Sequence, residues 1–173
     1  QDDDYLVPLL ERAAAALGDD DSPLRVRLLA RLAGGPLRSV RFPRERRFTL
    51  SREALDMARR LGDPATLAYA LDGYLPANES PENTVKTLEL STELLEVAMQ
   101  VGDKERVLEA HEHRHERFFE LGKMEQAQAE LDAMTRLAEE LRQPAQRWLV
   151  GVCRARLALH EGRLADAEGL IAE

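Results

Sequence analysis

The sequence has one cysteine, Cys153, among 173 residues. That excludes an internal disulfide framework and any zinc site built from cysteines. Long apolar runs are missing too. The longest, Ala13 to Leu17 and Trp148 to Cys153, fall far below the ~20 residues that a membrane-spanning helix requires. No charged-then-apolar leader opens the chain, and the expectation is a cytoplasmic location without membrane contact. Positive charge is in deficit, with 24 Lys and Arg against 32 Asp and Glu and a net charge of −8. A protein that grips duplex DNA by neutralising phosphates needs the opposite balance, so no direct nucleic-acid binding is expected. No Ser/His/Asp order, carboxylate pair or phosphate-cradling glycine loop stands out, and neither catalytic residues nor a cofactor are expected.

What is abundant is helix-forming sequence. Apolar residues make up 44% and charged residues 32%, enough for a sizeable core. Ala, Leu, Glu and Arg dominate, the types that lose least on entering a helix. Leu88, Leu90, Leu94, Leu95, Val97, Ala98 and Val101 form a stripe at spacing three and four, the mark of one buried helical face. Ala127, Leu131, Met134, Leu137, Ala138 and Leu141 repeat it. Turn signals recur about every twenty residues, at Ser22-Pro23, Phe42-Pro43, Gly62-Asp63-Pro64, Ser80-Pro81, Gly102-Asp103, Gly122-Lys123, Gln143-Pro144 and Gly162-Arg163. Seven to eight helices of roughly 15 to 18 residues fit between these marks. No alternating pattern persists long enough for a strand. The fold class predicted is all-α.

The helices are also copies of one another. A shift of forty superposes Met57, Val97 and Leu137, then Ala58, Ala98 and Ala138, then Leu61, Val101 and Leu141; two shifts carry Pro64 onto Pro144. A two-helix unit cannot bury its apolar face alone, so such units stack. The expected architecture is one domain over 3–173, a right-handed solenoid of antiparallel, tetratricopeptide-like helix pairs. Its units cover roughly 23–62, 63–102, 103–142 and 143–173. Gly34-Gly35-Pro36 should break the helix that starts at Pro23. Pro8 and Pro76 lie near helix ends, where proline is tolerable. The last unit stops at Glu173 before a complete partner helix, which predicts a segment of a longer chain. Such an uncapped end leaves apolar surface through which a homodimer can form.

Three stretches carry a family likeness. They are Ala54-Leu55-Asp56-Met57-Ala58-Arg59-Arg60-Leu61-Gly62-Asp63-Pro64, Ala138-Glu139-Glu140-Leu141-Arg142-Gln143-Pro144, and Leu159-His160-Glu161-Gly162-Arg163-Leu164-Ala165-Asp166-Ala167-Glu168. They resemble the tetratricopeptide-like middle or C-terminal region of large actinobacterial transcriptional regulators. Among these are the ATP-dependent LuxR-type regulators and related AAA-ATPase regulators, and the likeness runs from Leu9 to Glu173. It implies a non-catalytic segment that takes a protein or small-molecule effector in a concave groove and controls secondary metabolism or another inducible pathway. In such regulators a nucleotide switch and a DNA-binding module lie elsewhere; the chain has no G-x-x-x-x-G-K-[ST] loop and no helix-turn-helix pattern. A free-standing tetratricopeptide-like scaffold is the alternative.

Four groups of residues invite a functional reading. His111-Glu112-His113-Arg114-His115 matches H-E-x-x-H, in which two histidines four apart hold zinc and the glutamate acts as base. A zinc hydrolase is the reading from another class, but no third ligand follows, and the forty-residue shift puts His111 with Leu71 and His115 with Leu75. His111, Arg114 and His115 are therefore expected to pack or to line the groove. Tyr69, Tyr74 and Trp148 lie on the first helices of their units, which form the inner surface of a stacked solenoid; each can serve as partner contact or as core. Arg38, Arg41, Arg44, Arg46, Arg47 and Arg52 form a basic stretch, expected to be solvated with Glu45 and Glu53 as ion-pair partners. No aromatic series interleaves with it, as single-strand binding favours. Cys153, between Leu149 and Leu157, is read as a small buried apolar residue, and Phe118 and Phe119 as core.

Overall fold

The computed structural model describes residues 3–34 and 43–172. Among the described residues the chain is helical throughout, without a strand. The helices are α1 (Asp3–Ala16), α2 (Pro23–Gly34), α3 (Arg44–Leu61), α4 (Pro64–Ala77), α5 (Thr84–Val101), α6 (Lys104–Glu120), α7 (Met124–Leu141), α8 (Pro144–His160) and α9 (Leu164–Ala172), with a 3-10 turn at Pro81–Asn83 before α5. None is long and apolar enough to cross a membrane. The nine α-helices among the described residues exceed the seven to eight expected. Eight turn marks bound nine segments, and Leu164–Ala172, which the sequence presents as an incomplete unit, is helical and packs on α8. Helix α2 is described as far as Gly34; Gly35 and Pro36 of the expected break lie outside the described residues.

The turns after α3 and α5 share one design. Gly62 and Gly102 take left-handed backbone angles, φ 67° and 72°, which glycine adopts without steric cost. Their N–H groups return to carbonyls of the ending helix, Gly62 to Ala58 at 3.1 Å and Gly102 to Met99 at 3.2 Å. The aspartate that follows caps the next helix. Asp63 accepts from Thr66 N at 2.8 Å and Asp103 from Arg106 N at 3.1 Å. Arg142 occupies the corresponding position before α8 with φ 56°, a conformation a side chain makes less favourable.

Contacts gather into two compact units, Gln1–Ala110 and His111–Glu173, with the boundary inside α6. In the first unit α2 packs on both α3 and α4, and α4 on α5. Its core joins Val26, Leu29 and Ala30 of α2 to Ala54, Met57 and Ala58 of α3, Leu71 and Tyr74 of α4, and Leu94 of α5. Where α2 crosses α4 the backbones nearly touch. A Cβ placed on Gly73 would lie 2.7 Å from the Ala30 carbonyl oxygen, and one on Gly34 only 2.6 Å from that of Gly73. In the second unit α7 packs on α8 and α8 on α9. Leu131, Met134, Val150, Cys153 and Leu157 are buried there, with Ala127, Ala138, Ala158 and Ala167 as the small residues.

Polar groups stitch the ends of α2 and α4 to α3. Arg47 donates through Nε to the Ala33 carbonyl at 2.8 Å and through NH2 to Pro76 O at 3.1 Å. Arg44 donates to Glu79 O at 3.0 Å. Helix C-terminal carbonyls lack intrahelical donors and carry partial negative charge, so guanidinium groups suit them. This corrects the expectation of a merely solvated basic stretch. Arg46 pairs with Glu11, and Arg52 stacks 5.9 Å over Phe48. Glu53, expected to serve the stretch, is bound by Arg25 of α2 at 2.8 Å. Arg38 and Arg41 lie outside the described residues.

Candidate functional site

In the first unit, one polar patch draws on three helices. Tyr69 and Asp72 stand three residues apart on α4, hence on one face, as do Arg106 and Glu109 on α6. The Arg106 guanidinium carbon sits 4.5 Å from the Tyr69 ring centre, and that of Arg27 on α2 lies 5.7 Å from the same ring. Both distances are within cation–π reach. Arg106 NH1 also meets Glu109 at 2.5 Å and Asp72 at 3.4 Å. The result is a ladder of Arg27, Tyr69 and Arg106 with two carboxylates beside its last rung.

The two carboxylates are not equivalent. Burial, followed by the negative charge of Asp72, pushes the Glu109 carboxyl up to about 7 against the pull of Arg106. Neutral pH therefore leaves Glu109 partly protonated, able to share its proton with Asp72. An unfolded glutamate titrates near 4.5, so the folded state binds the proton more tightly. The associated stability is fully present below that value and is lost as pH rises through 7. Glu109→Gln is expected to flatten the stability of the first unit between about pH 5 and 8 and to raise it at pH 8 by about 1 kcal/mol, discounted because roughly a third of the side chain meets solvent. Urea unfolding across that range, followed by hydrogen exchange in α4, measures this; an unchanged pH slope would remove Glu109 as its source.

The second unit holds the histidine segment. Glu130 of α7 is buried, and two side chains of α6 converge on it. His111 Nδ1 lies 2.6 Å from its Oε2, and Arg114 donates through Nε at 2.9 Å and NH2 at 2.8 Å to its Oε1. Burial alone would raise the Glu130 carboxyl, but the bonds from His111 and Arg114 outweigh it and hold the group below its usual value. A carboxylate only accepts, so His111 carries its proton on Nδ1. His115 is fully buried. Its Nδ1 lies 2.8 Å from the Ala127 carbonyl and donates to it, while Nε2 has no hydrogen-bond partner. Burial pushes this imidazole below its ordinary value, so it packs as a neutral ring, tilted against Phe119 with centroids 6.4 Å apart.

The structure thus distributes the sequence candidates. Tyr69 is a half-buried surface residue in the ladder. Tyr74 is core and not groove, packed with Leu71 and Leu75, which removes it as a contact residue. His111 and Arg114 clamp Glu130, and His115 is interior. Trp148 is largely exposed on α8. Among the described residues no Cys, Asp, Glu or further His completes a metal-ligand set with His111 and His115, short of the three protein ligands that catalytic zinc takes. Phe118 and Phe119 are half-buried, covered by guanidinium groups of Arg114 and Arg156 at 5.3 Å each. Cys153 is buried, and burial pushes its thiol up to about 12, so it carries no thiolate at neutral pH. A groove of about 190 Å³ in the second unit, lined by Gln128, Leu131, Arg154, Leu157, Arg163 and Leu170, is below the ~300–1,000 Å³ of ligand pockets.

Sequence reasoning missed Asp72, Arg106, Glu109 and Glu130. The forty-residue shift places Tyr69 with Glu109, so that acid shares the register of a singled-out aromatic. That register was the available signal. Compared with known proteins, the sequence matches no family model and no curated protein.

Proposed function

We propose that the chain is a non-catalytic helical repeat module that binds a protein partner or effector on behalf of a transcription regulator, of the kind that governs secondary metabolism or another inducible pathway. The fold this reading needs is a right-handed, tetratricopeptide-like stack of antiparallel helix pairs, about forty residues each. The observation that carries it is the ladder of Arg27, Tyr69 and Arg106. Its three members come from α2, α4 and α6, which in such a stack are the first helices of three successive hairpins and lie side by side along one recognition surface. An amphipathic aromatic between two guanidinium groups, flanked by two carboxylates, offers a partner both contact area and polar specificity. The regulator assignment rests on the sequence resemblance.

An effector bound here shifts a regulator only by its difference in affinity for two conformations. The decisive test has two parts. The coding sequence on either side should supply a phosphate loop upstream and a helix-turn-helix downstream in one reading frame; their absence would leave a free-standing scaffold. In that full-length regulator, Tyr69→Ala with Asp72→Ala should abolish inducer response in a reporter assay while the isolated segment keeps its helicity. An unaltered response would displace the ladder from the binding role.

A further inference from the structure

Two arginines of α2 carry charge that the first unit leaves uncompensated. Arg27 and Arg31 are exposed and stand four residues apart on one helix, hence on one side of it. Among the described residues neither has a carboxylate within ion-pair distance. Asp63 feels the charge of Arg27, but its carboxylate is occupied as the cap of α4, accepting from Thr66 N at 2.8 Å and from the Thr66 hydroxyl at 2.5 Å. The Tyr69 ring attracts the Arg27 cation without neutralising it. Other arginines of the unit are engaged: Arg25 with Glu53 at 2.8 Å, Arg59 with Glu93 at 3.1 Å and Arg60 with Asp21 at 2.7 Å. Arg106, at the far end of the ladder, is neutralised in place. Glu109 at 2.5 Å and Asp72 at 3.4 Å, with one proton between them, supply it with one negative charge. The ladder face thus keeps an excess of positive charge on α2, in a chain whose net charge is −8.

The spacing of that charge describes an occupant. Arg27 and Arg31 lie about 6 Å apart along the helix axis. Alternate residues of an extended strand lie about 7 Å apart and point the same way. A strand laid along α2 with an acidic residue at every second position therefore meets both guanidinium groups, whose planar forks suit carboxylates. Arg27 already rests against the half-buried Tyr69 ring, so it loses less freedom on binding than an unsupported side chain. Leu24, 55% exposed and three residues before Arg27, adds an apolar contact on the same side. A nucleic-acid strand has the matching sign, but the net charge of the chain repels it at a distance. Tyr69 also stands without the series of aromatics on which successive bases stack.

We propose that Arg27, Arg31 and Tyr69 receive an acidic segment of a partner protein, extended along α2 with its carboxylates at alternate residues. This rests on the reading of the ladder as a recognition surface and names the chemistry of what binds there.

Fluorescence polarisation of the 173-residue chain against a fluorescein-labelled peptide of alternating glutamate and serine tests it. Saturable binding is expected with Kd on the order of 100 µM at about 50 mM salt, weakening as salt is raised to about 300 mM. Arg27→Ala and Arg31→Ala should each weaken it about threefold to fivefold, and Arg27→Glu with Arg31→Glu should abolish it. Both side chains are exposed, so far-ultraviolet circular dichroism should stay unchanged. Arg12→Ala, at an exposed arginine of α1, should leave binding intact, and a peptide with glutamate at every third position should bind more weakly. No saturation by about 1 mM peptide, equal loss with Arg12→Ala, equal affinity for the every-third peptide, or tighter binding of an oligothymidylate would each overturn the assignment. Should the peptide fail to bind while Tyr69→Ala with Asp72→Ala still abolishes induction, the acidic occupant falls and the binding role of the ladder stands.

Discussion

Gly73→Val should lower the stability of the first unit by about 3 kcal/mol or more, among the largest losses a single substitution causes here. Added side-chain atoms at Gly73 meet Ala30 O at 2.7 Å and Ala30 Cβ at 2.8 Å. Neither atom belongs to a flexible side chain, so the clash is relieved only by moving α2 away from α4. Even Gly73→Ala opposes two effects. Alanine is worth about 1 kcal/mol over glycine inside a helix, but separating two packed backbones forfeits contacts along the whole crossing, typically about 1–3 kcal/mol. The steric term wins, for a net loss of about 1 kcal/mol or more. Gly151→Ala is the matched control: that glycine lies inside α8 with nothing within 4 Å of a built Cβ, so propensity acts unopposed and stabilises by up to about 1 kcal/mol. Urea unfolding of the three variants decides the matter, and a Gly73 variant as stable as the parent would show that α2 and α4 do not hold this separation.

The crossing also sets the geometry of the ladder. Gly34 and Gly73 let α2 approach α4 until Arg27 reaches the Tyr69 ring at 5.7 Å. Gly34→Ala should act like Gly73→Ala, and the double variant should cost less than the sum, because a crossing already opened by one methyl admits the second more cheaply.

Helix boundaries were legible because turn chemistry is local. Gly62-Asp63 and Gly102-Asp103 announce a left-handed residue and a cap in two letters. Arg142 carries the same backbone angle without glycine, and there Gln143-Pro144 alone marked the turn. The small positions Ala58, Ala98 and Ala138, recognised by the forty-residue shift, are all buried. What the pattern concealed is which helix each polar residue faces. Arg44 and Arg47 read as a solvated cluster, yet they serve carbonyls at the ends of α4 and α2, about fifteen to thirty-five residues away in sequence. Gly73 is one letter between Asp72 and Tyr74, and its role exists only where α2 lies across it. The H-E-x-x-H match falls on α6, where His111 faces Glu130 and His115 is interior. Glu130 sits beside Leu131 in the core-facing register of α7, where periodicity reports burial and is silent about the guanidinium and imidazole opposite.

That pairing yields the second large effect. Glu130→Ala should destabilise the second unit by about 3 kcal/mol, because it strands Arg114 and His111 in a site from which water is mostly excluded. Both partners have side chains less than a fifth exposed, at 18% and 17%. An uncompensated cation there costs more than the pair contributes when intact. Glu130→Gln keeps the shape and one acceptor, so its loss should be smaller, about 1–2 kcal/mol. Arg114→Met combined with Glu130→Leu removes both ends and should recover much of the deficit. Acid supplies the same test without mutation. The Glu130 carboxyl is held below its usual 4.5 in the folded chain, so its contribution is present above that value and fades as pH falls through the depressed one. His115, pushed below 6.5 by burial, adds a loss that begins near pH 6.5 on acidification, since the unfolded chain takes the proton first. The second unit should therefore weaken from about pH 6.5 downward, over a range where protonation of Glu109 strengthens the first. Hydrogen exchange in α7 and in α4, followed from about pH 7.5 to 5, separates the two responses. Parallel trends in both helices would contradict the opposed titrations of His115 and Glu109.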